Sequence, residues 1–232
     1  MKSVSTAFSF PDIDDDGWKF VSIMTVLTVI FALVWLPLGG VLFVLDIWCF
    51  LSFRNPQRIT PVLSSAVIAP ADGMIISINK EKGPDCVGLQ NKTFHKIRIY
   101  SGPFDVHLNR MPIKAKILNT FYYEGKKFAG NFKQNDIDNE QFVMALRHSD
   151  GYDFALRQIA VLCNKRIVNK LKKGDEYLAG QRIGAIRFGG YTDIFLPEKV
   201  CPLVCVGQTM IAGETVIADT KSDAPRIEGE IR

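Results

Sequence analysis

Two features that would narrow this protein's chemistry at once are missing from its sequence: a paired set of cysteines and a strong excess of one charge. Its five cysteines are odd in number and spread along the chain, so they do not make a disulfide framework. Cys49 lies in an apolar run, and Cys163, Cys201 and Cys205 lie in strand-like segments. That is the usual setting of reduced cysteine serving as a small hydrophobe in a cytoplasmic protein. Cys201 and Cys205 could be half a metal site, but no second Cys or His pair lies nearby, so no metal is expected. The net charge of +4 and pI near 8.7 fall short of the clustered basic excess of a nucleic-acid binder. No RNP-like, zinc-finger or basic-helix pattern is present either. Nucleic acid is therefore set aside as a partner, whereas a mildly basic chain suits an anionic membrane surface.

Charge is also locally absent. From Phe20 to Phe53 the only formal charge is Asp46. The run is too long for one average span, which takes about 20 residues, and Pro37, Gly39 and Gly40 interrupt it. It predicts two short helices, Phe20–Leu36 and Leu38–Phe53, joined by a tight break, with Trp18, Trp35 and Trp48 suited to interfacial depth. Lys2 and Lys19 precede the pair and Arg54 and Arg58 follow it, while the break carries no basic residue. The positive-inside rule then places both termini and the C-terminal domain in the cytoplasm, at the cell membrane. A cleaved signal peptide fits poorly, because the run is too long and begins late. A re-entrant hairpin in one leaflet is the alternative to full spanning. The organisation expected is a polar N-terminal segment (1–19), the hairpin (20–53), a soluble domain (54–220) and a polar tail (221–232).

Beyond Phe53-Arg54-Asn55-Pro56-Gln57-Arg58 the pattern changes to short alternating runs between Gly, Pro, Asn and Asp. Met74–Asn79, Lys96–Tyr100, Lys116–Tyr123, Gln141–Arg147, Tyr152–Cys163, Arg187–Leu196 and Glu214–Ala218 all alternate with period two. They predict a mainly β domain. Ile159–Leu171 fits a strand or a short helix equally well. A weak repeat aligns Gly174-Asp-Glu-Tyr-Leu-Ala-Gly180-Gln-Arg-Ile183 with Gly207-Gln-Thr-Met-Ile-Ala-Gly213-Glu-Thr-Val216. Each copy reads as glycine turn, short strand, glycine turn, strand. Biotinyl and lipoyl carrier domains read similarly, but no attachment lysine sits at a hairpin tip here. The repeat speaks to fold, not activity.

Four ordered segments carry a resemblance. They are Phe53-Arg54-Asn55-Pro56 after the hairpin, Pro70-Ala71-Asp72-Gly73 before the first core strand, and Phe104-Asp105-Val106-His107-Leu108-Asn109-Arg110-Met111-Pro112. The fourth is Phe188-Gly189-Gly190-Tyr191-Thr192-Asp193-Ile194-Phe195-Leu196-Pro197, followed by the glycine turns from Gly207 to Thr215. Asn139-Glu140-Gln141 and Gln158-Ile159-Ala160 fill the interval. Over roughly Gly17 to Asp219 the chain resembles the short-form, membrane-anchored phosphatidylserine decarboxylase proenzymes. The resemblance implies a β-rich α+β, barrel-sandwich-like domain behind a helical membrane hairpin. It also implies a phospholipid membrane and the phosphatidylserine headgroup as partners, and chains that self-associate as a homo-oligomer. The implied activity is conversion of phosphatidylserine to phosphatidylethanolamine plus carbon dioxide in phospholipid biosynthesis.

In that family a serine attacks the glycine carbonyl before it, the chain splits, and the serine remnant becomes a pyruvoyl cofactor that serves as electron sink. By resemblance Asp72 and His107 are the catalytic residues: the aspartate orients a base for self-cleavage, and His107 is the proton donor in decarboxylation. Taken singly, Asp72 before Gly73 is also a turn residue, and a satisfied strand histidine is the plainer reading of His107. Arg54, Arg58 and Arg110 could pair with phosphate or carboxylate. Interfacial anchoring is the plainer role for Arg54 and Arg58, which leaves Arg110 as the candidate for substrate binding.

The resemblance breaks at the cleavage position, Gly189-Gly190, because Gly190 stands where the family has its serine. Glycine has no hydroxyl to attack Gly189 and cannot leave a pyruvoyl group. Tyr191-Thr192 replaces the family's Arg-Val, and Val161 replaces the glycine of Gln-Ile-Ala-Gly. Thr192 is the nearest hydroxyl, but it lies two residues along an alternating strand, a shift of about 7 Å. Two functions therefore follow from the sequence. One is a phosphatidylserine decarboxylase with an unusual nucleophile; the other is a processing-dead relative that acts in lipid or partner binding.

Overall fold

In a computed structural model, residues 12–13, 17–126, 128–129, 138–169 and 171–222 are described. Most of the expected N-terminal segment and nearly all of the expected tail lie outside them. The chain divides into two compact units, Met1–Gln57 and Arg58–Arg232.

The first unit is a helical hairpin, α1 (Gly17–Val34) and α2 (Leu36–Ser52), with two short paired strands, β1 (Asp12–Ile13) and β2 (Arg54–Asn55), at its base. The break falls at Trp35, which takes an extended backbone, and not at the proline and glycines. Pro37 instead occupies the first turn of α2, where a missing N–H breaks no helical bond. Val21, Cys49 and Phe53 pack together, and Phe20 stacks on Phe53 at 5.3 Å. The lone charge is tied across the hairpin, where Thr25 Oγ1 donates to Asp46 Oδ2 at 2.9 Å. Helix α1, with a mean hydropathy of 2.0 over 18 residues, is long and apolar enough to cross a membrane. Most of its side chains face outward, as an apolar solvent requires.

The second unit is almost entirely β. Its strands in chain order are β3 (Ala66–Ile68), β4 (Gly73–Lys82), β5 (Thr93–Ser101), β6 (Leu108–Arg110), β7 (Ala115–Tyr123) and β8 (Phe128–Ala129). They continue with β9 (Glu140–Arg147), β10 (Asp153–Ala160), β11 (Leu162–Cys163), β12 (Ile167–Asn169), β13 (Glu176–Tyr177) and β14 (Arg182–Ile186). The last are β15 (Gly190–Pro197), β16 (Thr209–Met210) and β17 (Val216–Asp219). An antiparallel sheet of eight runs β13-β7-β9-β10-β15-β5-β4-β16, and smaller sheets pair β12-β14-β6, β17-β3 and β11-β8. Among its described residues, the segment 159–171, open to either reading from sequence, carries strand at 159–160, 162–163 and 167–169 and no helix. Pairing with β8, β14 and β15 decides this, since its own mixed pattern does not.

Alternation explains the layering. On β5 and β15, Ile97, Ile99, Ile194 and Leu196 point to one face and join Val67, Ile183 and Ile217 of the smaller sheets in the main core. Phe94 and Phe195 point to the other face, which Val87 and Leu89 of the β4–β5 connection cover. Sheet packed on sheet in this way matches the mainly β, sandwich-like expectation. The sequence repeat is a structural one as well. Gly174 and Gly207 have φ of +96° and +91°, and Gly180 and Gly213 have +78° and +80°. The strands between them, β13 and β16, sit at equal offsets.

Candidate active site

Strand β15 is central, with β10 on one side and β5 on the other. Its first residue, Gly190, therefore lies between Ala160 and Ser101. Gly190 shares its face with Thr192, Ile194 and Leu196. The chain reaches it through a left-handed turn, Phe188 at φ +60° and Gly189 at φ +81°. This turn opens onto a cavity of about 390 Å³ walled by Gly189, Gly190, Tyr191, Phe188, Ser101 and Tyr100. Val161, Arg166, Ile76 and Pro103 complete the lining. Three of the four positions that depart from the expected motif, Val161, Gly190 and Tyr191, line this one space. The fourth, Thr192, does not.

The surroundings of Gly190 are closed. A β-carbon there would lie well inside 3.0 Å of the Ile159 carbonyl oxygen and 3.0 Å from Ile186 Cγ2. The backbone of β10 is the nearer obstacle, and backbone does not yield as a flexible side chain does. A seryl or pyruvoyl side group at this position does not fit the geometry present.

Thr192 is fully buried, and its Oγ1 accepts a hydrogen bond from Asn109 Nδ2 at 3.0 Å. Asn109 Oδ1 in turn accepts from Gln158 Nε2 at 2.8 Å. The threonine hydroxyl thus belongs to a polar network inside the core. Ser101 is the hydroxyl that does face Gly190 across the β5–β15 ladder, and it donates to the backbone carbonyl of Asp72 at 2.6 Å.

Asp72 and His107 touch this corner only through backbone carbonyls, Asp72 by its own carbonyl on Ser101 and His107 by that of Gly102, and neither lines the cavity. Asp72 is largely buried; Oδ1 accepts the Ala212 N–H at 2.7 Å and Oδ2 pairs with Arg58 Nη2 at 2.6 Å. The side chain of His107 is buried, with Nε2 3.1 Å from the Gly102 carbonyl oxygen. A carbonyl only accepts, so that contact puts the proton of the neutral ring on Nε2. Gly102 O in turn lies 3.3 Å from where a Gly189 β-carbon would be, so the histidine stands one carbonyl behind the turn. Arg110 is half-buried beside Arg58 and off the cavity wall, its Nη1 donating to the Gly180 carbonyl at 3.0 Å. Burial and then the neighbouring Arg58 charge pull its guanidinium below the ordinary arginine value.

Two residues with clear duties were not among the expected site residues. Arg166 is buried, and Nη2 donates to Gly189 O at 2.8 Å and to Arg187 O at 2.5 Å. Nη1 donates to Val161 O. A cation thus sits on the carbonyl of the Gly189–Gly190 bond. Its own loop is held by Glu140, whose Oε2 accepts the Arg166 N–H at 2.7 Å. Burial lowers the Arg166 value, and the Cys163 and Glu140 side chains oppose that shift.

Asp193, on the opposite face of β15, is fully buried between Arg98 (2.7 and 2.8 Å) and Arg157 (3.0 and 2.5 Å). Burial alone would push its carboxyl up, but the two guanidinium groups outweigh it and hold the carboxyl below the usual range. The sequence signal for Asp193 was its place inside the alternating segment, on the face opposite Gly190. Arg166 gave none, because its partners are backbone carbonyls.

The description phosphatidylserine decarboxylase belongs to a family model that matches residues 45–218, a span that holds the whole site. The chain belongs to the phosphatidylserine decarboxylase family. It is similar to the phosphatidylserine decarboxylase proenzyme of Cereibacter sphaeroides, 38% identical over 217 residues and covering 94% of each chain. The proenzyme of Ruegeria pomeroyi is 40% identical over 204 residues, 88% of this chain and 93% of that one. That of Paramagnetospirillum magneticum is 38% identical over 223 residues, 96% and 92% respectively. The family is pyruvoyl-dependent and acts on phospholipid in membranes, and the apolar hairpin agrees with membrane association.

Proposed function

We propose that this chain is a non-processing member of the family, a membrane-anchored protein that stays one polypeptide and binds a phospholipid headgroup without decarboxylating it. The observation that carries this reading is Gly190, which has no hydroxyl and whose place leaves no room for a side chain. No step through a pyruvoyl group follows from such a site. The cavity beside it supports the binding half: aromatic walls from Tyr100, Phe188 and Tyr191 and a buried cation at Arg166 suit a polar head joined to apolar carbon. In this reading Asp72 and His107 act as framework groups, and Arg110 holds the Gly180 turn. The hairpin keeps both termini on the cytoplasmic side by its flanking basic residues.

The test uses the full chain in mixed micelles with phosphatidylserine labelled at the serine carboxyl. The reading predicts no labelled carbon dioxide and a saturable rise in thermal midpoint, since a ligand that binds only the folded state stabilises it. Released carbon dioxide would restore the family activity to this chain and sink the proposal. A midpoint unmoved by serine, ethanolamine and choline phospholipids alike would remove the binding half.

A further inference from the structure

The residues that leave the membrane hairpin form an extended strap across the two repeated glycine turns. Arg58 holds Asp72 through its guanidinium, and its Cβ stands 3.6 Å from where a Gly213 β-carbon would be. The backbone N–H of Ile59 donates to Glu214 Oε1 at 3.2 Å. Thr60 presses on Gly180 so closely that any β-carbon there would collide with its hydroxyl. Arg58 and Thr60 therefore face the fold. Their neighbours face away from it: Ile59 is 73% exposed, Val62 fully exposed and Leu63 55% exposed.

Three large aliphatic side chains within five residues, on a strap seated from below by specific contacts, need a cover. Chain continuity names it. Ser52 ends α2, and Ile59 follows seven residues later, a reach of at most about 25 Å. The strap therefore begins within about 25 Å of the end of α2, inside reach of a bilayer that holds the hairpin. We propose that Ile59, Val62 and Leu63 insert into the headgroup boundary of the bilayer as a second membrane contact, and that this turns the Asp72 end of β4 toward the lipid. The ten-residue length of β4 puts the connection carrying Cys86 roughly 30 Å from that end, away from the membrane. The proposal rests on the anchoring of the hairpin, so the experiment reads both.

The full chain, with Cys163 and Cys201 changed to serine throughout and Cys86 changed to serine in the first two of three versions, is labelled with an environment-sensitive fluorophore. These are Leu33→Cys at the hairpin tip, Val62→Cys on the strap, and a version that keeps native Cys86. Each is reconstituted in nanodiscs of phosphatidylglycerol and phosphatidylcholine containing lipids with doxyl quenchers near the headgroup. The proposal predicts a blue-shifted, quenched label at Leu33 and Val62 and an unquenched one at Cys86. Quenching at Leu33 but not at Val62 overturns it and leaves the anchor intact. Quenching at neither overturns the anchor and this contact together. Spontaneous disulfide dimers of the Val62→Cys chain, with no lipid quenching, would hand the surface to a second copy.

Discussion

At position 190 glycine and serine differ by a single hydroxymethyl group, and the two neighbouring strands decide what that group would meet. The Ile159 carbonyl oxygen and Ile186 Cγ2 occupy its space. Gly190→Ala should therefore destabilise the fold by about 1–3 kcal/mol, the usual cost of overpacking against backbone, as read from urea unfolding midpoints. An unchanged midpoint would mean that β10 yields and that the cavity accepts a side chain. The sequence exposes the missing hydroxyl directly but not the missing room, because the obstacle is a backbone atom thirty-one residues earlier in the chain. Arg58 was equally hidden. After a membrane segment it reads as an interfacial anchor, yet its partner is Asp72. Arg166 sits in a stretch whose basic and apolar mixture fits helix or strand alike, and carbonyl partners leave no trace in a sequence.

Among the elements, β15 depends on its two neighbours through Asp193. Arg98 comes from β5 and Arg157 from β10, so one buried carboxylate joins three central strands. Asp193→Asn would leave two guanidinium groups facing a neutral amide, at a cost of about 3–5 kcal/mol. The pH dependence has a definite sign. With its carboxyl held low in the folded state, Asp193 binds fewer protons folded than unfolded. Its contribution is complete above the ordinary carboxylate value of about 3.9 and is lost as pH falls below it. Acid titration of thermal stability should show wild type falling more steeply than the asparagine variant, and parallel curves would contradict the assignment. Period-two alternation made β15 legible in the sequence, but the burial of both its faces was not. The start of the strand at Gly190 and the left-handed turn before it were not legible, because Phe188 is an unusual residue for positive φ. The hairpin shows the same limit: its two helices were readable, but their break moved to Trp35 because proline is tolerated in a first helical turn.

For the whole molecule, the family scaffold is kept, and on the proposed reading the chemistry at its centre is altered. The hairpin, the ordered motifs and the repeated glycine turns specify the fold, and all are local patterns that survive in a single sequence. The cavity is assembled from five separated stretches, so only the folded chain shows that Val161, Gly190 and Tyr191 line one space. The central claim is that the Gly189–Gly190 bond stays whole, and intact mass measurement of the purified, membrane-extracted protein tests it most directly. A single chain at 26.0 kDa, stable through prolonged incubation, is the predicted result. Two fragments divided at Gly189–Gly190, the smaller bearing a new N-terminal carbonyl, would contradict it.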